Sequence, residues 1–133
     1  MAGTVATKFS PNPPIIQSQA ASVTVVVDAS GNATEYIGPL YGQLDTLIYT
    51  KIDFADGVDF TITKESTGEG VWTESNVNAS DLARPRVITQ DLVDTDSTTL
   101  VIREPILFAG ERIKIVIAQG GVSKSGKFTA LLR

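Results

Sequence analysis

Histidine and cysteine are both absent from this 133-residue chain. Without histidine it lacks the side chain that most often moves protons near neutral pH. Without either it lacks the usual transition-metal ligands and the commonest pairings of nucleophile and base. A chain with no cysteine neither forms nor risks a disulfide, so its composition ties it to no redox compartment. Helical patterning of useful length is missing too, as is any run approaching the roughly 18 apolar residues of a membrane helix. Residues 1–21 carry a single charge, Lys8, with prolines at 11, 13 and 14 and no apolar stretch of the kind an export signal needs. The expectation is a soluble, non-exported chain with no membrane partner and no cofactor.

What the chain does have is alternation. Val23, Val25 and Val27 share one face of a first strand, and the turn Ser30-Gly31-Asn32 follows, leading into a short strand over 33–37 that Gly38-Pro39 should end. Residues 43–54 read as the longest strand, with Leu44, Thr46, Ile48, Thr50, Ile52 and Phe54 on one side and Leu47, Tyr49 and Lys51 on the other. Past Asp56-Gly57, Val58, Phe60 and Ile62 alternate with Asp59, Thr61 and Thr63, a half-buried strand. Strands are also expected over 71–77, 86–92, 99–103, 105–108 and 128–132. After a turn at Ala109-Gly110, the Ile-rich strand over 111–119 is expected to point Ile113, Ile115 and Ile117 inward, opposite Arg112 and Lys114.

Strand after strand at these intervals predicts an all-β, antiparallel β-sandwich, jelly-roll-like, formed by residues 23–133. Residues 1–22, where Asn12-Pro13-Pro14 obstructs regular pairing, read as an extended N-terminal arm.

Several apparent motifs fail on inspection. Gly121-Val122-Ser123-Lys124-Ser125-Gly126-Lys127 resembles a phosphate loop, but Phe128 stands where a magnesium-binding hydroxyl is required and no helix follows. It reads better as a glycine-rich hairpin. Asp91, Asp94 and Asp96, or Glu65, Glu69 and Glu74, are the carboxylate sets a glycosidase would need, but nothing fixes their separation. No catalytic residue is assigned, and the chain is read as no enzyme. Asp53, Asp56 and Asp59 flank one turn and form a weak candidate cation site, without the spacing of a complete ion-binding loop.

Charge is uneven. Residues 1–83 hold three basic and ten acidic side chains, and residues 84–133 hold eight basic and five acidic ones. Either two copies are steered together by this asymmetry or the halves interleave and the charges pair. An acidic chain without a basic domain gives no reason to expect direct nucleic-acid contact. Apolar anchors in the arm, Phe9, Ile15 and Ile16, together with Tyr49 and Trp72, are the interface candidates, since aromatic and aliphatic anchors dominate protein contacts.

Three stretches carry a resemblance: Val58-Asp59-Phe60-Thr61-Ile62-Thr63 with Thr67-Gly68-Glu69; Asn76-Val77-Asn78-Ala79-Ser80 with Pro85-Arg86; and Pro105-Ile106 with Glu111-Arg112-Ile113-Lys114-Ile115-Val116-Ile117-Ala118-Gln119-Gly120-Gly121 through Lys124-Ser125-Gly126-Lys127-Phe128. From Val23 to Leu132 the chain resembles small virion structural proteins of tailed bacteriophages, from the capsid decoration or head-to-tail region. That resemblance implies a non-enzymatic protein made in the host cytoplasm and located in the virion. It would decorate or stabilise the capsid, with the phage major capsid protein or neck proteins as partners, as a homo-oligomer, a trimer for preference. Two other roles stay open: an adaptor in a neck or tail ring, and a host-surface carbohydrate-binding module using Trp72, Tyr41 and Asp56.

Overall fold

The computed structural model describes residues 19–88 and 103–133. Its strands are β1 (Gln19–Val26), β2 (Ala33–Lys51), β3 (Val58–Lys64), β4 (Gly70–Val77), β5 (Asp81–Ala83), β6 (Arg86–Ile88), β7 (Arg103–Ala118) and β8 (Ser125–Leu132). Gln19 to Ser22, read from the sequence as the end of the arm, already pair with β8. The expected strand over 99–103 and the acidic set Asp91, Asp94 and Asp96 fall wholly or mostly outside the described residues.

These strands form one antiparallel sheet in the order β1-β8-β2-β7-β3-β4, with β5 paired to β2 and β6 to β7. This corrects the expected sandwich and jelly roll: the described strands follow a single open path of neighbours, not two stacked sheets. The reason lies in two long strands. β2 has 19 residues and β7 has 16, and each runs through a place where the sequence signalled a stop. In β2 the register shifts between Ile37 and Leu40, so Gly38-Pro39 is taken up as a bulge and the proline's missing N–H breaks no required bond. β7 likewise continues through Ala109-Gly110. β2 then pairs with β7 on one edge and β8 on the other, joining segments that a sandwich would divide.

Two connections cross at one end of the sheet. The β1–β2 turn passes the start of β8, and the β7–β8 segment passes β2, so the glycine-rich stretch after Gln119 is not the hairpin its composition suggested. The crossing is tight: the Gly120 amide donates to the Gly31 carbonyl at 2.9 Å. A Cβ on Gly31, whose φ is +83°, would meet that backbone nitrogen at 3.0 Å, so only glycine fits.

One face of the sheet carries the core. Val58, Phe60 and Ile62 of β3 and Ile113, Ile115 and Ile117 of β7 are at most 1% exposed, as their alternation predicts. Aromatic rings bind the face together. Phe60 meets Phe128 of β8 edge-on at 5.2 Å between centroids and Trp72 of β4 at 4.9 Å. Tyr49 of β2 lies 5.1 Å from Phe128 and 5.4 Å from Phe60.

Candidate interaction surface

After Leu44 and Ile106, β2 and β7 part company. β5 pairs with β2 at Leu47 to Tyr49 and β6 with β7 at Arg103 to Pro105. At this fork the outer face of the sheet exposes large apolar side chains beside Gln43 and Arg103. Leu107 is 61% exposed because Ile106 and Phe108 on either side of it point into the core. Tyr41, opposite Ala109, is 62% exposed, Ile88, opposite Arg103, 61%, and Leu82, opposite Ile48, 48%. Directly opposed residues share a face, so these four side chains lie on the same side of the sheet. Exposed apolar groups gathered in this way, with an arginine among them, have the composition of a protein contact.

A charge centre sits within the band. The β2 register shifts between Leu44 and Thr46, and this bulge turns Asp45 toward two guanidinium groups. Arg133 Nη2 donates to Asp45 Oδ1 at 2.7 Å and Arg86 Nη2 to the same oxygen at 3.2 Å, while Arg86 Nη1 donates to the Asp45 carbonyl at 3.1 Å. The Thr46 hydroxyl bonds Asp45 Oδ2 at 3.0 Å. This hydroxyl first, and then Arg133, hold the Asp45 carboxyl below its ordinary value of 3.8. The sign follows: such a group adds stability above pH 3.8, lost as pH falls through its lowered folded-state value. Asp45→Asn is therefore expected to lower the melting temperature at pH 7 and to make it fall less between pH 5 and pH 2, as read by thermal melts across that range.

Pairing between the two halves of the chain recurs nearby. Arg112 makes a two-pronged contact with Glu65, at 2.7 and 2.6 Å, and lies over the Tyr36 ring at 4.1 Å. Lys64 bonds Glu111 at 3.1 Å. The acidic and basic halves thus interleave in one sheet, and their charges are partly matched inside the subunit.

The sequence-derived candidates are placed as follows. Tyr49 is fully buried and Trp72 is 9% exposed, both in the aromatic core, with Trp72 Nε1 donating to Glu74 at 3.0 Å. Phe9, Ile15 and Ile16 lie outside the described residues. The three aspartates are separately engaged. Asp53 accepts the Ser125 amide at 2.6 Å, Asp56 pairs with Lys51, and Asp59 accepts the Asn76 amide at 2.8 Å and the Gln119 side chain at 3.1 Å. Among the described residues no group of three or more acidic side chains converges as a metal site. Nor do Trp72, Tyr41 and Asp56 gather as a sugar site: Trp72 is interior, and Asp56 follows Ala55, bonded to Gly120, far along the sheet from Tyr41 and Ala109. Sequence reasoning missed Leu107, Ile88, Leu82 and Asp45; the alternation of Ile106, Leu107 and Phe108, three apolar residues in a row, was the available signal for the first.

A scan against protein-family models and a search of curated proteins both found no match for this chain.

Proposed function

We propose that this chain is a non-enzymatic structural protein of a tailed-bacteriophage virion, which decorates or stabilises the capsid by docking on repeated sites. The observation that carries the reading is the exposed band of Tyr41, Leu82, Ile88 and Leu107 around the Asp45 charge centre. The sequence resemblance over Val23 to Leu132 supplies the virion context. Repetition makes a modest contact sufficient, because a shell presents the same patch many times. Each apolar anchor that removes roughly 100 Å² from water contributes on the order of 2–3 kcal/mol before ordering costs. Residues Phe9, Ile15 and Ile16 are assigned a second contact of the same kind, on a neighbouring subunit.

The test is binding of the purified protein to empty capsids of the phage that encodes it. Saturable, stoichiometric occupancy is expected, with Leu107→Glu weakening it by about tenfold or more, the loss of one central anchor. Deleting residues 1–14 should lower occupancy while leaving the subunit folded. Absence of the protein from both capsid and neck of intact particles would refute the reading. A low fixed copy number at the neck would assign it to the adaptor ring.

A further inference from the structure

The two edges of the sheet are built differently. β4 carries Glu74, its register with β3 shifts twice, and Asn76 has a φ of +58°. Charge, bulges and a left-handed residue are the devices that stop an edge strand from accepting another. β1 has none of them. Its sequence, Gln-Ala-Ala-Ser-Val-Thr-Val-Val, contains no charge, proline or glycine, and it pairs with β8 over eight residues without a register shift. Among the described residues nothing pairs with its other edge.

The Val27 amide donates to the Lys124 carbonyl at 2.9 Å, continuing the β1–β8 register. Alternation then turns Val25, Val23 and Ala21 toward β8, and leaves the amides and carbonyls of Ala20, Ser22, Thr24 and Val26 on the open side. The core face of β1 is also unfinished. Val25 is fully buried, but Ala21 and Val23, which point the same way, are only partly covered.

We propose that β1 is a strand-addition edge and that its occupant is β1 of a second copy of this chain, antiparallel across a two-fold axis at Val23. That register uses every backbone group from Ala20 to Val26 that has no partner among the described residues. It sets Ser22 against Thr24 of the second copy, Ala20 against Val26, and Val23 against itself, so hydroxyl meets hydroxyl and apolar meets apolar with no charge opposed. Val23 and Ala21 gain the cover they lack. The inference is independent of the virion role, since it concerns the isolated protein.

Sedimentation of the purified full chain should give twice the subunit mass. Thr24→Lys, which sets a lysine close to its own copy across the axis, should return the subunit mass with an unchanged circular dichroism spectrum; Ser22→Lys does the same if the first variant folds poorly. Thr73→Lys on β4 should leave the pair intact. The register is read by Val23→Cys: two directly opposed, non-hydrogen-bonded residues lie close enough for a disulfide, and the chain holds no other cysteine. Mild oxidation should cross-link Val23→Cys and leave a Thr73→Cys control uncross-linked. A single-subunit or threefold mass for the wild type, a pair that survives both lysine variants, or an uncross-linked Val23→Cys would overturn the proposal.

Discussion

Replacing Phe60 by alanine is expected to remove about 3–5 kcal/mol of folding stability, the range for deleting a fully buried aromatic side chain. Phe60 is 1% exposed and its ring touches rings from three other strands: Tyr49 of β2, Trp72 of β4 and Phe128 of β8. Removing it therefore opens a cavity where four strands meet. Set against a total of about 5–15 kcal/mol for a domain, this is a large share. Urea titration should show a much lower midpoint at an unchanged slope. Thr61, the next residue along β3, is exposed, and Thr61→Ala should stay within about 0.5 kcal/mol of wild type. Equal costs at the two positions would mean that the aromatic face does not hold the sheet together.

Local alternation was readable where no bulge intervened. Val58, Phe60 and Ile62, and Ile113, Ile115 and Ile117, point inward as their spacing requires, with Arg112 and Lys114 on the other face. The reading failed at bulges, because one extra residue exchanges the two faces of everything after it. Leu44 is fully buried. The shift between Leu44 and Thr46 then brings Leu47 and Tyr49 inside, where strict alternation had put them on the opposite side from Leu44. That is why Tyr49 looked like a surface aromatic and is a core one. Gly38-Pro39 and Ala109-Gly110 misled in the same way, since the residues that end strands are also those that bulges use. The fork and its apolar band follow from pairing between residues some 60 apart in sequence, such as Leu44 and Ile106, which composition and period do not encode.

Tyr49→Phe is expected to stabilise the protein by about 1–2 kcal/mol at neutral pH. The Tyr49 hydroxyl is buried and finds no hydrogen-bond partner among the described residues, and such a group carries its desolvation cost uncompensated. Phenylalanine keeps the ring contacts with Phe54, Phe60 and Phe128 and removes that cost. A second readout separates this effect from general repacking. Burial pushes the Tyr49 phenol from 10.0 up to about 12. The folded chain thus holds a proton that the unfolded chain releases between those values, so Tyr49's share of stability is complete below pH 10 and is lost as pH rises toward 12. The loss over that window is on the order of 2–3 kcal/mol. Denaturant midpoints from pH 9 to pH 12 should therefore fall more steeply for wild type than for Tyr49→Phe, the other lysines and tyrosines being common to both. Parallel curves would show that the Tyr49 hydroxyl reaches water or a partner, and that its burial is not what sets the alkaline limit of this fold.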